Sequence, residues 1–240
     1  MKHVVCFGAN SDIAKALLRR FVEHEPSKVI MFGRDLISLQ DLKRDLLNRG
    51  ALGVEEYFFD ATKPDSIREA FSKVEAVDYL ICAHGCLPKK AMFSFADIER
   101  VFWINYFSHV LIAELALEIF MKQGFGKLVV FGSVAGDRGR KKVGYYAAAK
   151  AALDSSLSAL RQEFSSYPNV QILTVKPGFI KTKMTSNLSG PFPSEPEVVA
   201  EDVFKAMLKN KNVVYTPWFW RWIMAFMRLI PESVFKRLSF

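Results

Sequence analysis

Short apolar runs alternate with segments of helical periodicity along almost the whole chain. The apolar runs predict strands at residues 4–7, 29–32, 54–59, 77–82, 127–131, 170–175 and 213–215. The segments between them predict helices at residues 12–22, 36–47, 66–71, 98–121, 145–164 and 198–208. Because the runs are mostly apolar rather than alternating, each strand should be buried on both faces. The pattern predicts an α/β fold with a doubly wound parallel sheet of about seven strands and helices on both faces.

Chain length and cysteine content limit the class of protein. With 240 residues, half of them hydrophobic, the chain fits a single domain better than two small ones. Cys6, Cys82 and Cys86 cannot form a disulfide framework and lack a second pair at metal spacing, so we expect reduced thiols and no metal site. The first apolar run is too short for a secretory signal, and we find no stretch that predicts a membrane-spanning helix. A cytoplasmic protein is expected.

Two segments stand apart from the alternating pattern. Residues 181–197 contain three prolines and one glycine and predict a long loop of the kind that often covers a site. Residues 216–240 follow the last predicted strand and form an aromatic and basic extension. We therefore predict a main domain at residues 1–215 and an extension at residues 216–240.

The residues after each predicted strand deserve most scrutiny, because ligands of parallel sheets bind beyond the carboxyl ends of the strands. The first strand is followed by Gly8, and small residues there would let a phosphate approach the next helix. An ordinary turn capped by Ser11 or Asp12 is the alternative. After the second strand, Arg34 would pair with a 2′-phosphate, unless it is simply solvated. Asp60 would accept from an adenine amine or cap a turn.

A tyrosine and a lysine four positions apart carry the strongest chemical signal. Tyr146 and Lys150 share one side of a predicted helix. A nearby ammonium would lower the pKa of the tyrosine and make it a proton donor or acceptor near neutral pH. Ser133, which follows the fifth strand, would hold a substrate carbonyl or serve as a plain turn serine.

Together these residues resemble the short-chain dehydrogenase/reductase family over about residues 2–215. The residues that carry the resemblance are Ser133, Tyr146, Lys150, Pro177, Gly178 and Thr182, with Asn105 at the position of the family's catalytic asparagine. The resemblance implies a Rossmann-type fold and hydride transfer between a nicotinamide cofactor and the carbonyl group of a small molecule. NADP is the implied cofactor because of Arg34, with NAD as the alternative.

The resemblance also implies a role for each of four residues. Tyr146 would donate a proton to the carbonyl oxygen, and Ser133 would hydrogen-bond the same oxygen. Lys150 would bind the ribose hydroxyls of the nicotinamide half and lower the pKa of Tyr146. Asn105 would hold a water molecule in the proton relay.

Cofactor contacts are implied at more positions, two of which depart from the family pattern. The implied contacts are Gly8, Asn10, Ser11, Asp12, Ile13, Arg34, Asp60, Ala83, Gly85, Tyr146, Lys150, Pro177, Gly178, Ile180 and Thr182. Asp12 and Ala14 stand where the family usually has glycine, and residues 82–85 read Cys-Ala-His-Gly instead of Asn-Asn-Ala-Gly. These departures motivate an alternative, a dinucleotide-sensing or scaffolding protein that keeps the fold. The intact set of four residues favours an enzyme.

The C-terminal extension has an unusual composition. From residue 205 onward the chain has seven basic residues and one acidic residue, which is most of its net charge of +8. Residues 218–230 hold three tryptophans, two phenylalanines and two methionines, with Arg221 and Arg228 on one helical face. Such interleaving of cations with bulky apolar groups does not favour nucleic-acid binding.

The extension resembles the corresponding part of the decaprenylphosphoryl 2-keto-ribose reductases. That resemblance implies a lipid-linked keto-sugar as substrate and a flavin oxidase as partner. Three interpretations of residues 218–240 stay open. They lie at the inner surface of a membrane as a peripheral contact, pack against another subunit of a homo-oligomer, or close the apolar mouth of a substrate cleft.

Overall fold

A seven-stranded parallel sheet forms the centre of the protein. The computed structural model describes residues 1–87, 94–186 and 190–238. The strands are β1 (Lys2–Phe7), β2 (Ser27–Gly33), β3 (Gly53–Phe58), β4 (Tyr79–Cys82), β5 (Gly126–Phe131), β6 (Val170–Pro177) and β7 (Val213–Thr216). They are ordered β3-β2-β1-β4-β5-β6-β7, and every neighbouring pair is parallel. The predicted fold class is confirmed, and the order reverses direction beside β1, where such sheets bind their ligands.

Helices cover both faces of the sheet. They are α1 (Asp12–His24), α2 (Leu36–Asn48), α3 (Pro64–Phe71), α4 (Phe95–Phe102), α5 (Ser108–Gln123), α6 (Gly144–Glu163), α7 (Pro196–Leu208), α8 (Trp220–Leu229) and α9 (Glu232–Phe235). One buried cluster joins α1, α2 and α7 to the sheet, and Phe21 and Phe204 meet edge to face in it at 5.3 Å. A second cluster joins α3, α5 and α6, and Phe7 stacks on Phe32 there at 4.7 Å. Burial of such side chains, at about 1.5–3 kcal/mol each, holds the two layers of helices on the sheet.

The long helix predicted at residues 98–121 is interrupted. α4 and α5 are separated by a π-helical turn at Trp103–Phe107, which contains Asn105. The Asn105 amide donates to the Val101 carbonyl at 2.9 Å, so its side chain competes for the helical hydrogen bonds. Single π turns of this kind are frequent at functional sites. The periodicity of the sequence could not show the extra residue in this turn.

The same segment bears on the expectation that no helix spans a membrane. Residues 95–123 form a continuous helical stretch that is long and apolar enough to cross a bilayer. Half of its most apolar window is buried inside the protein, and Ile112, Ala113 and Phe120 pack in the core beneath the sheet. The stretch is therefore a core helix of this fold.

The loop and the extension both pack on the main body. Lys181 and Ser194 approach across the loop, where the Lys181 amide donates to the Ser194 carbonyl at 2.9 Å. In the extension, Trp220 and Met224 are buried in a small apolar cluster with Val134. Residues beyond 215 thus complete the surface next to the turn that follows β5.

Candidate active site

A cleft of about 760 Å³ opens at the carboxyl ends of the strands. It runs from the end of β2 to α8, and it gathers all the residues for which the sequence predicts cofactor contacts. These lining residues are Gly8, Asn10, Ser11, Asp12, Ile13, Arg34, Asp60, Ala83, Gly85, Tyr146, Lys150, Pro177, Gly178, Ile180 and Thr182. Ser133 lines it as well, whereas Asn105 does not.

The turn after β1 leaves the N-terminus of α1 open to the cleft. Gly8 has a φ of +81°, and a Cβ added there would lie 2.4 Å from the backbone nitrogen of His84. Only glycine fits this position. Ser11 is the N-cap of α1, and its side chain makes no bond to the helix. The free N–H groups and the helix dipole fit a phosphate.

Asp12 does not face that phosphate position as a free carboxylate. Its Oδ2 accepts a hydrogen bond from the backbone nitrogen of Lys183 at 2.9 Å. The departure from glycine at this position therefore ties the start of α1 to the 181–197 loop across the cleft.

The end of β2 presents a cation to the cleft. Asn10 donates to the Asp35 carbonyl at 2.9 Å, and the Asp35 carboxylate accepts from the Ser38 amide at 3.0 Å as the cap of α2. The carboxylate of Asp35 is thus already hydrogen-bonded within the protein. Arg34 is exposed, lines the cleft and has no ion pair among the described residues. An arginine so placed fits a 2′-phosphate better than a ribose hydroxyl.

Asp60 lines the same end and is held in a turn. Its Oδ1 accepts from the amide and the hydroxyl of Thr62, at 3.0 and 2.8 Å. Burial would raise the pKa of Asp60, but these two bonds, together with the charges of Lys63 and Arg34, more than offset it, and the pKa lies below its ordinary value. The turn-capping role is therefore present in the structure, and the adenine contact stays a prediction.

Tyr146, Lys150 and Ser133 meet on one wall of the cleft. α6 places Tyr146 and Lys150 one turn apart, and Ser133 lies close enough to the Tyr146 phenol to influence its pKa. The Lys150 ammonium is buried and donates to the Phe131 carbonyl at 2.7 Å. Burial lowers the pKa of Lys150 to about 8.

The expected direction of the Tyr146 pKa is wrong. Burial raises the pKa of Tyr146 above its ordinary value, and the hydrogen bond from Ser133 and the charge of Arg140 only partly oppose this. The spacing of Tyr146 and Lys150 shows that an ammonium is near but not how far the phenol is removed from water. Tyr146 is therefore held as a neutral phenol at physiological pH, the form that donates a proton.

Asn105 lies behind the cleft wall rather than on it. Its carboxamide accepts from the Cys86 amide at 3.1 Å and donates to the Cys86 carbonyl at 3.0 Å. A Cβ on Gly85 would approach its Oδ1 to 3.1 Å. Asn105 thus holds the turn after β4 in place, and the water of the proton relay stays a prediction.

Two stacked histidines lie at residues 82–85, the segment that departs from the family pattern, and next to it on α5. The rings of His84 and His109 stack at 3.9 Å, and His109 Nε2 donates to the His84 carbonyl at 3.0 Å. The other end of His84 meets the Ser108 hydroxyl at 2.8 Å. Burial lowers the pKa of His84 to about 3 and that of His109 well below its usual range. Both stay neutral and brace the turn after β4.

A buried ion network behind the wall was not predicted. Lys176 Nζ lies 2.5 Å from Asp137 and 2.7 Å from Asp154. The Tyr215 hydroxyl donates to the other oxygen of Asp137 at 2.8 Å. Burial would lower the pKa of Lys176, but the two carboxylates raise it above its ordinary value. The network therefore keeps its cation and fixes the turn after β5.

One face of α8 closes the far end of the cleft. The α8 residues that line it are Trp220, Ile223, Met224 and Met227. A Cβ on Gly178 would lie 1.9 Å from the Trp220 indole nitrogen, so this helix sits directly on the turn after β6. The extension therefore lines the cleft, as one of its three interpretations expects, and the membrane and subunit contacts stay predictions. The spacing of three and four residues could have identified this face from the sequence.

Sequence reasoning also missed Arg140 and Phe179. Both line the cleft near Tyr146 and α8. Neither belongs to a recognisable motif, and only the fold brings them to this end.

Comparison with known proteins agrees with this geometry. The family model described as short chain dehydrogenase matches residues 2–191. An uncharacterized oxidoreductase of Mycobacterium tuberculosis (strain H37Rv) is 29% identical over 242 residues, covering 98% of this chain and 96% of the relative.

Solved structures share the fold over nearly the whole chain. A short-chain dehydrogenase from Sphingobium yanoikuyae in complex with NADPH superposes with a TM-score of 0.84 at 20% identity, covering 97% of this chain and 98% of the neighbour. The bulky-bulky ketone specific alcohol dehydrogenase from Comamonas testosteroni has a TM-score of 0.83 at 18% identity, covering 97% and 96%.

The bond between Asp12 and Lys183 predicts how the loop behaves. Asp12→Ala removes the acceptor, so we expect trypsin to cut within residues 181–197 about threefold to tenfold faster. Limited proteolysis with mass spectrometry would measure this. Asp12→Asn keeps an acceptor oxygen and should stay close to wild type. Asp41→Ala, an exposed α2 carboxylate, is the control. Equal cleavage of the Asp12→Ala variant and the wild type would contradict the tether.

Proposed function

The chain belongs to the short chain dehydrogenase family and is an NAD(P)-dependent oxidoreductase, and from this premise we propose that it reduces carbonyl compounds with NADPH. One observation carries the proposal: Ser133, Tyr146 and Lys150 meet on one wall of a cleft whose other end has an open helix N-terminus. A dinucleotide sensor or scaffold has no need of a proton donor at that wall.

The residues present fit a dinucleotide. Close backbone approach at Gly8 and the unoccupied N–H groups of α1 suit a pyrophosphate. Arg34 would hold the 2′-phosphate, and Lys150 would hold the ribose of the nicotinamide half. When bound, the cofactor supplies the hydride. Ile180 and Thr182 would orient its carboxamide.

Within this proposal the protein supplies the proton. The Tyr146 phenol donates to the carbonyl oxygen as the hydride arrives, and the Ser133 hydroxyl orients the same oxygen. The raised pKa of Tyr146 keeps the proton on the phenol until the oxygen becomes basic. Asn105 holds the turn at Gly85 and Cys86 in place behind the wall of the cleft, and it would bind the water molecule of the proton relay.

We further propose that the substrate is large and apolar, with a lipid-linked keto-sugar as the specific hypothesis. Support comes from the apolar lining contributed by Phe179, Ile223 and Met227 at the end of the cleft near Tyr146. The neighbour from Comamonas testosteroni is named for bulky ketones. Oxidation of a sugar hydroxyl, by a partner such as a flavin oxidase, would have to supply such a ketone.

The outward face of α8 supports peripheral contact with a membrane. Trp218, Trp222 and Phe226 are 71, 65 and 68% exposed. Arg221 and Arg228 are exposed on the same helix segment. Aromatic rings at headgroup depth with cations against anionic lipid fit the inner surface of a membrane. Contact with a second copy in a homo-oligomer is the competing proposal for this face.

Removal of the phenol tests the mechanism. Tyr146→Phe should lower kcat by about 10²–10⁴-fold, because the proton donor is lost. NADPH affinity, measured by fluorescence titration, should change by no more than about twofold, because the ring and Lys150 stay in place. Tyr145→Phe is the matched control, since that exposed neighbour does not line the cleft. Retained turnover by Tyr146→Phe would refute the assigned role.

Cofactor preference depends on Arg34. Arg34→Ala should raise the KM for NADPH about tenfold to hundredfold, because a charge-assisted bond to phosphate is lost. The KM for NADH should stay nearly the same. Arg44→Ala removes an exposed arginine on α2 outside the cleft and serves as control. Equal losses with both cofactors would remove the 2′-phosphate role.

Membrane contact is tested without disturbing the cleft. The double variant Trp222→Ser/Phe226→Ser should bind phosphatidylglycerol vesicles about tenfold more weakly than wild type in co-sedimentation. Ile37→Ser/Leu52→Ser removes two exposed apolar side chains elsewhere and should bind as wild type does. Failure of the wild type to sediment would contradict membrane contact. If the double variant then elutes as a smaller species on gel filtration, the face is a subunit interface.

A further inference from the structure

A carboxylate with two buried oxygens lies behind the wall that carries Tyr146 and Lys150. Asp154 is on α6, four positions after Lys150, so the two side chains share one side of the helix. A Cβ on Gly132 would lie 2.9 Å from Asp154 Oδ1, and a Cβ on Gly136 would lie 3.1 Å from its Oδ2. The carboxylate thus packs into the turn after β5, and it does not line the cleft.

The Asp154 carboxylate is poorly satisfied for a group in this position. Its Oδ1 has no hydrogen-bond partner among the described residues, and the Lys176 ammonium approaches its Oδ2 at 2.7 Å. Burial raises the pKa of Asp154 above its ordinary value, and Lys176 opposes this rise. A buried carboxylate with an unpaired oxygen costs free energy, which indicates a role beyond packing.

Asp154 also acts on the lysine of the cleft wall. The Lys150 ammonium is buried, and its described hydrogen bond goes to an uncharged acceptor, the Phe131 carbonyl. Burial lowers the pKa of Lys150 to about 8, and Asp154 is the strongest influence in the opposite direction. Cys82 and Cys86 act in that direction too, but burial raises the pKa of both thiols, so they carry no charge at neutral pH.

The other titratable groups that face Lys150 are uncharged. His84 and His109 face it from the turn after β4 and from α5, and burial keeps both imidazoles neutral. Tyr146 precedes it on α6 and keeps its proton. In the part of the chain that the structure describes, the charge that balances Lys150 is therefore that of Asp154.

Three cations and a second carboxylate surround Asp154. Lys176 reaches it from β6, and Lys150 and Arg161 act on it from α6. Asp137, in the turn after β5, lies 2.5 Å from the same Lys176 ammonium and repels Asp154. Lys176 is thus shared between two carboxylates, of which Asp154 is the one that acts on Lys150.

We propose that Asp154 is a positioning residue, whose carboxylate keeps the Lys150 ammonium charged while Lys176 keeps that carboxylate ionised. The inference rests on the proposed carbonyl reduction, in which Lys150 binds the ribose of the cofactor. Asp154 reaches neither substrate nor cofactor and acts through Lys150. An uncharged amine at Lys150 would still lie in the wall, but it would no longer place a cation next to the phenol.

Direct titration of Lys150 tests the proposal. Selective ¹³C labelling of the lysine side chains, with Lys150→Arg to assign the signal, should give a midpoint of about pH 8 in the wild type. Asp154→Asn keeps the shape of the side chain and removes the charge that opposes proton loss, so the midpoint should fall by about one pH unit. Asp137→Asn is the matched control, because it removes the other carboxylate on Lys176 and should leave the midpoint near its wild-type value.

The pH dependence of cofactor binding and turnover should follow the same shift. Above about pH 7, the NADPH affinity measured by fluorescence titration should begin to fall about one pH unit earlier in Asp154→Asn than in the wild type. With phenyl alkyl ketones as substrates, turnover of this variant should be about fivefold below wild type at pH 8 and within about twofold at pH 6.5. Recovery at the lower pH separates loss of charge from damage to the fold.

A wild-type measurement decides the question if Asp154→Asn does not fold. The ¹³Cγ signal of Asp154 should show an inflection at the Lys150 midpoint, whereas the signal of Asp137 should show none. Absence of that inflection overturns the proposal. So does a Lys150 midpoint that is unchanged in Asp154→Asn, or one that moves equally in both asparagine variants.

The two kinds of measurement also separate this role from the proposed reaction. If the Lys150 midpoint falls in Asp154→Asn but no ketone is reduced, the positioning of Lys150 by Asp154 stands and carbonyl reduction fails. If ketones are reduced and the midpoint does not move, the positioning role fails and carbonyl reduction stands.

Discussion

A single buried lysine fixes the wall on which the proposed chemistry depends. Lys176, near the end of β6, lies 2.5 Å from Asp137 in the turn after β5 and 2.7 Å from Asp154 on α6. The same turn carries Ser133, and the same helix carries Tyr146. Loss of one member of a buried ion cluster leaves an uncompensated charge that costs about 3–5 kcal/mol. The position of the Ser133 hydroxyl relative to the Tyr146 phenol therefore depends on this buried ion network rather than on the residues that line the cleft.

The next residue in that turn extends the coupling to the C-terminal extension. Arg138 donates to the carbonyls of Met227 and Ile230 at 3.1 and 2.8 Å, and so caps the end of α8. It also pairs with Glu232 at 2.8 Å. Because Asp137 and Arg138 are adjacent, the turn after β5 is bound to β6 through Asp137 and to the C-terminal extension through Arg138. The helix that closes the cleft is thus anchored to the segment that carries Ser133.

Local sequence patterns determined how much could be predicted. The strands and the residues that follow them were predictable because apolar runs and turn residues are local signals, and parallel topology then gathers the strand ends. The spacing of Tyr146 and Lys150 was readable for the same reason, but the direction of the Tyr146 pKa depends on burial. The role of Asp12 could not be predicted, because its partner Lys183 is 171 positions away. The stacking of His84 likewise needs a helix that only the fold brings near.

The apolar character of α8 belongs to two faces that have different surroundings. One face, with Trp220 and Met224, is buried on the turns after β5 and β6. The other face, with Trp222 and Phe226, is exposed. α8 cannot move away from the protein without opening the cleft. A membrane or a second subunit could therefore contact only its exposed face, while its buried face stays packed on the protein.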